Sequence, residues 1–415
     1  MDDGPRRVVV TGQGVVSPLG NDVQTFWSRL IAGESGIASV TRFDSSVLSS
    51  HIAGEVRAFE ASDFMSPRAA RRMDLFAQYA VSAARQAVTE SGLDVDTEHD
   101  LIGAVVGSGV GGLGTFQEQS RVLFSRGPSR ISPFLAPMML PNMAAAQVAI
   151  QLGLKGPLGA TCTACSAGAN AVGDAFEIIR RGAAVAMVAG GCDAGINEVG
   201  MAAFDVMRAL STRNNAPQQA SRPFDAGRDG FVIAEGAGAL VLEDMDHALA
   251  RGAPIQAEMV GYGMSSEAVH LTHPDETGRS QARAMLAALK EAQMTPDEID
   301  YVNAHGTSTP AGDVSETRAI KVAFRTRASE LPVSSTKSMT GHMLGAAGAV
   351  EALVCVRVIS EGVVPPTINL VEADPDCDLD YVSEGARTLP VRAAMTNSFG
   401  FGGHDVSLVF RRFEG

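Results

Sequence analysis

The sequence predicts a duplicated α/β protein built in five layers, α/β/α/β/α. Strand-like apolar runs alternate with Ala-rich helical stretches, the runs are uniformly apolar rather than alternating, and the whole order occurs twice. In the first half, residues 7–14 read as a buried strand ending in glycines and residues 73–91 as a helix. Residues 101–107 read as a second strand, leading into Ser108-Gly-Val110-Gly-Gly112. A third strand, 158–163, runs into a helix over 167–181, where Val172, Phe176 and Ile179 fall at i, i+4 and i+7 and Gly182 stands at the end. Strands at 185–190 and 239–242 close this half.

The second half repeats the series. It has a strand at 255–263, a helix at 281–292, and a strand at 299–304 entering His305-Gly-Thr307-Ser-Thr309. A strand at 332–335, an almost wholly apolar helix at 344–360, and strands at 393–396 and 406–410 follow. Uniformly apolar runs joined by helices favour mainly parallel sheets covered on both faces. The halves divide as residues 1–254 and 255–415. Residues 111–146, rich in Pro and Met, have no second-half partner and read as an insertion forming a cap or a subunit contact.

Composition narrows the class. The 415 residues are 45% hydrophobic with 44 glycines and one tryptophan, which fits a tightly packed enzyme. A net charge of −14 would repel phosphates, against general nucleic-acid binding. No run reaches the length of a membrane span, and the opening Met1-Asp-Asp-Gly-Pro-Arg-Arg-Val8 has no apolar signal core, so a cytoplasmic protein is expected. Five cysteines (Cys162, Cys165, Cys192, Cys355, Cys377) suit a reducing compartment. Cys162 and Cys165 are spaced CxxC, yet no second pair or nearby histidine completes a metal site.

Cys165 stands where a strand gives way to a helix. Unpaired N–H groups of a first helical turn favour a thiolate, the form that attacks carbonyl carbons, and Ser166, Ala167, Gly168 and Ala169 leave room for a substrate. The other four cysteines read as small buried residues. In the second half His305 ends a strand, and Lys337 and His342 lie at the junction that mirrors Cys165. Duplication would bring one thiol and two imidazoles to a common centre.

Four stretches carry a resemblance: Thr163-Ala-Cys165-Ser-Ala-Gly168, Asn303-Ala-His305-Gly-Thr307-Ser-Thr309-Pro-Ala-Gly-Asp313, Thr336-Lys337-Ser-Met-Thr-Gly-His342 and Asn397-Ser-Phe399-Gly-Phe401-Gly-Gly403. In this order the chain resembles the elongating β-ketoacyl-[acyl-carrier-protein] synthases of the thiolase superfamily over nearly its whole length. Within them it is most similar to synthase II, through residues 263–272 and 208–214.

The resemblance implies a thiolase-like fold and a decarboxylating Claisen condensation. Cys165 would carry the acyl group, and the backbone N–H groups of Cys165 and Phe401 would form an oxyanion hole. His305 and His342, as neutral donors, would steady the enolate of malonyl-carrier protein. Lys337, paired with Glu351, would anchor the second-half site. Thr307 and Thr309, and also Thr272, match positions that bind the phosphopantetheine arm. Phe401 resembles a gating ring, Val110 falls where the acyl pocket is bordered, and Phe204 and Phe399 complete the substrate side. Arg68, Arg71, Arg72, Arg130 and Arg208 offer a basic rim to an acidic carrier protein. The reaction needs no metal or organic cofactor, and a homodimer is implied. At His404-Asp405 many relatives have Thr-Asn or His-Asn, so Asp405 adds a negative charge near the site.

Rival readings are separable. A thiolase needs a second catalytic cysteine near the C-terminus, whereas the last one here is Cys377. The initiating synthases use Cys-His-Asn. The ketosynthase of an aromatic polyketide pathway shares all three catalytic residues but works with a partner lacking the cysteine. A non-catalytic chain-length partner would not keep Cys165, His305 and His342 together.

Overall fold

The computed structural model describes residues 4–415, so the first three residues of the opening stretch lie outside it. Ten strands define the architecture. In the first half these are β1 (Val8–Val16), β2 (Ile102–Gly107), β3 (Leu158–Gly159), β4 (Ala186–Asp193) and β5 (Gly236–Asp244). In the second they are β6 (Ala257–Ser266), β7 (Tyr301–Asn303), β8 (Val333–Ser334), β9 (Ala393–Gly400) and β10 (His404–Arg411). Hydrogen bonding runs β8-β7-β9-β10-β6-β1-β5-β4-β2-β3. Each half therefore has its third, second, fourth, fifth and first strand in that order. The halves meet where Val8–Val10 pairs antiparallel with Ala257–Met259.

The sheets are mixed rather than mainly parallel. Only β2–β3, β2–β4, β7–β8 and β7–β9 are parallel pairs. The β1–β5, β4–β5, β9–β10 and β6–β10 pairs are antiparallel. Uniform apolarity reports burial of both faces, and an antiparallel strand under two helical layers is as apolar as a parallel one.

Six helices cover the sheets. They are α1 (Leu75–Ser91), α2 (Met143–Leu152) and α3 (Ala167–Arg180), then α4 (Arg279–Ala292), α5 (Pro310–Phe324) and α6 (Ala347–Glu361). Asp74 opens α1 by accepting the Phe76 N–H. α1 and α2 lie on one outer face, α4 and α5 on the other, and α3 and α6 fill the layer between the sheets. Twelve of the fifteen α6 residues are buried, as a helix between two sheets requires. Because α2 packs on α1 as α5 packs on α4, residues 143–146 belong to the repeat. The unmatched segment is the shorter stretch 111–142. It carries the helix Leu113–Arg126, which has no buried residue and exposes Phe116, Leu123 and Phe124. Among the described residues no helix is long and apolar enough to cross a membrane.

Candidate active site

Cys165 lies in a 3-10 turn, Ala164–Ser166, just ahead of α3. Ala164 has φ +50°, a left-handed conformation that costs a residue with a Cβ. Leu344–Ala346 forms the equivalent turn ahead of α6, and Leu344 has the same φ. The symmetry mate of Cys165 is therefore Gly345; Lys337 and His342 belong to the segment before it. The two turns press together, since a Cβ on Gly168 would stand 2.6 Å from the Gly345 carbonyl oxygen. Asp193, at the end of β4, clamps them. Its buried carboxylate accepts from the N–H groups of Gly109 (3.0 Å), Val110 (3.2 Å) and Gly345 (2.6 Å) and from the Ser108 hydroxyl (2.7 Å).

The hairpin of β9 and β10 closes over the cysteine. Ser166 Oγ lies within hydrogen-bonding reach of the carbonyls of Ser398 (2.9 Å) and His404 (2.7 Å), tying the nucleophile turn to that hairpin. At Gly400 a Cβ would meet the Thr163 carbonyl oxygen at 2.6 Å, so only glycine allows this approach. The N–H groups of Phe401 and Cys165 lie on the sulfur's side of the turn and act to lower the thiol pKa. The expected resting thiolate is corrected, however. Burial pushes the Cys165 thiol up to about 11, outweighing the Lys337 ammonium and the two N–H groups that pull it down.

His305 follows β7, and the Glu316 carboxylate on α5 accepts its backbone N–H (2.8 Å) and that of Gly306 (2.7 Å). Lys337 Nζ lies 3.4 Å from His305 Nδ1 and forms a buried ion pair with Glu351 on α6. An ammonium can only donate, so Nδ1 accepts and the His305 proton sits on Nε2. His342 is held through its backbone, donating to the Val232 carbonyl (2.8 Å) and accepting from the Ala234 N–H (2.9 Å). The two imidazoles stand 5.3 Å apart, nearly perpendicular. Burial holds both well below the ordinary histidine range, and the Lys337 charge lowers them further, so both are neutral. Burial raises the Glu351 and Glu316 carboxyls to about 7.

Cys165, His305 and His342 share a cavity of about 360 Å³. Thr307 and Thr309 line it, their hydroxyls 3.0 Å apart, and Thr272 lies at its exposed mouth. Phe204, Phe399 and Phe401 complete the wall, with the Phe204 and Phe401 rings 6.5 Å apart. Arg208 stands on the rim. Arg68, Arg71, Arg72 and Arg130 are exposed but do not line this cavity, and Arg72 instead lies 4.7 Å over the Phe134 ring. Val110 is also off the lining. It faces Leu344 and Ile233 across Gly195, where an added Cβ would touch all three. Among the described residues no cluster of three or more His, Cys, Asp or Glu side chains is placed to hold a metal.

The expectation for Asp405 is also corrected. Burial, with Glu267 nearby, raises its carboxyl to about 8, so it is neutral near pH 7 and adds no charge. Sequence reasoning missed Asp193, Glu316 and the role of Ser166. Asp313 and Glu316, at i and i+3 on the first turns of α5, were one legible hint of inward-facing carboxylates.

One buried thiol facing two N–H groups, with two neutral imidazoles across a duplicated sheet, defines a condensing enzyme of the thiolase type. Residues 5–248 match the β-ketoacyl synthase N-terminal domain and residues 256–371 its C-terminal domain, and the chain belongs to the β-ketoacyl synthase family. It is 50% identical, over 99% of both chains, to the 3-oxoacyl-[acyl-carrier-protein] synthase 2 of Synechocystis sp. and to that of Staphylococcus aureus. Among solved structures, a β-ketoacyl synthase from Burkholderia phymatum superposes with TM-score 0.92 at 38% identity, covering 99% of this chain and 100% of that one. A type II polyketide ketosynthase, bound to a hexaketide and in complex with its acyl-carrier protein, matches with the same TM-score and coverage at 35% identity.

Proposed function

We propose that the protein is a 3-oxoacyl-[acyl-carrier-protein] synthase of the type 2 class, working in fatty acid elongation on acyl and malonyl groups delivered by an acyl carrier protein. The observation that carries this reading is the convergence of the Cys165 sulfur, two backbone N–H groups and two neutral imidazoles on one cavity. The 50% identity to synthase 2 enzymes along the whole chain favours elongation over the polyketide alternative.

In the first half-reaction the Cys165 sulfur bonds to the acyl carbonyl carbon and the carrier's sulfur leaves, taking the thiol proton. The N–H groups of Cys165 and Phe401 hold the oxyanion as it forms. In the second, the bond from the malonyl carboxyl to C2 breaks, CO2 departs, and its electron pair becomes an enolate. Nε2–H of His305 and a ring N–H of His342 donate to that enolate oxygen. C2 then attacks the Cys165 thioester, and the released sulfur takes up one proton. No metal or organic cofactor enters this balance. Thr307 and Thr309 grip the arm, Phe401 screens the cysteine, and Arg208 guides the acidic carrier. We place the enzyme in the cytoplasm as a homodimer joined through the exposed apolar residues of segment 111–142.

Cys165→Ala tests the assignment. Condensation should fall about a thousandfold or more, while malonyl decarboxylation, which needs only the two histidines, persists. Condensation surviving in that variant would sink the reading.

A further inference from the structure

A first-half segment, residues 222–234, lies across the second-half site. The Arg222 N–H donates to Ser308 Oγ (3.0 Å), the Gly230 N–H to the Ser308 carbonyl (3.2 Å), and the Phe224 N–H to the Asp313 carboxylate (2.8 Å). Asp313 in turn accepts the Ser308 N–H at 3.1 Å. Ser308 needs this support, since it is held at φ +70° between the two threonines of the cavity. Further along, Val232 and Ala234 supply the backbone bonds that fix His342.

Arg228, 8% exposed, reaches the threonine turn with its side chain. Its Nε donates to the Thr309 carbonyl (3.1 Å) and its Nη2 to the Pro310 carbonyl (2.9 Å). Its Nη1 is anchored on the Asp225 carbonyl (2.8 Å) and the Asp374 carboxylate (2.7 Å). A planar fork fixes two successive carbonyls in one plane, which a point-charge ammonium cannot do. With both carbonyls set, the Thr309 hydroxyl is aimed at that of Thr307, 3.0 Å away.

We propose that Arg228 is a positioning residue for the carrier arm: by fixing the Thr309 and Pro310 carbonyls it sets the pair of hydroxyls that grips phosphopantetheine. It touches no substrate. The inference rests on the proposed role of Thr307 and Thr309, and the test separates the two. Steady-state condensation is measured against malonyl-carrier protein for the wild type, Arg228→Gln, Arg228→Lys and the double variant Thr307→Val/Thr309→Val. Alkylation of Cys165 by iodoacetamide, which has no arm, is followed in parallel.

The expected result is a KM raised about tenfold in Arg228→Gln and less in Arg228→Lys, with kcat and alkylation rate within about twofold of wild type. The threonine double variant should show the same KM shift. If it shifts KM and neither Arg228 variant does, the role of Arg228 is overturned and the threonine assignment stands. If the double variant has no effect, the threonine assignment fails, and the Arg228 proposal with it. Equal losses of kcat and alkylation rate would mark Arg228 as a purely structural support and overturn the proposal; should Arg228→Gln fail to fold, Arg228→Lys alone decides.

Discussion

Burial and charge oppose each other at Cys165, and burial wins in the resting protein. The two N–H groups that only soften the thiol pKa at rest are the groups that meet a full negative charge once an acyl oxygen takes that place, so their effect belongs to the reaction more than to the ground state. Asp405 follows the same logic with only one weak compensating donor. Its Oδ2 accepts weakly from Ser265 (3.3 Å), while Glu267, Asp275 and Arg283 are the charged groups around it. Its folded-state pKa is raised from 3.8 to about 8, so the stability it contributes is complete below about pH 4 and is lost as pH rises through about 8. Asp405→Asn keeps the shape and cannot ionise. Its melting temperature should gain on wild type as pH goes from about 6 to about 9, and parallel curves over that range would contradict the assignment. Cys165, His305 and His342 were legible in the sequence because each sits at an element boundary in a distinctive motif. Asp193 was not, because a carboxylate takes its meaning from tertiary burial and from backbone donors distant in sequence, and Glu316 left only its spacing from Asp313 as a hint.

Among the elements, the contact between α3 and α6 sets the distance between the two halves of the site. Gly168→Ala would place a methyl 2.6 Å from the Gly345 carbonyl oxygen and 3.0 Å from the Ala349 nitrogen, both backbone atoms unable to move alone. Stability should fall by about 1–3 kcal/mol in urea unfolding. Activity should fall further, because Gly345 leads straight from the His342 segment; a variant as stable and active as wild type would refute the tight crossing. The positions of α1, α3, α4 and α6 were legible to within a few residues from apolar spacing and glycine stops, whereas α2 and α5 were not read as helices at all. Strand direction was not, since two covered faces erase the alternation that distinguishes a half-exposed strand. The third strand of each half shrank to two residues in β3 and β8, where the chain turns early to present Cys165 and Lys337.

For the whole molecule, duplication does the organising. One half brings the nucleophile and the segment that steadies the other half, and the second brings the imidazoles and their buried ion pair. The chain repeats itself in sequence order, which made the five layers legible, while the reach of residues 222–234 across the pseudo-symmetry had no local mark. Phe116, Leu123, Phe124 and Leu140 remain exposed on the unmatched segment, so the protein should sediment at twice the mass of one chain, and a stable monomer at micromolar concentration would contradict the dimer. The most direct test of the central claim is intact-protein mass spectrometry after adding acyl-carrier protein and then malonyl-carrier protein. An acyl adduct on Cys165 that disappears as a 3-oxoacyl product two carbons longer forms is the predicted result. A folded protein that takes up no acyl group, or one whose adduct malonyl-carrier protein fails to discharge, would contradict it.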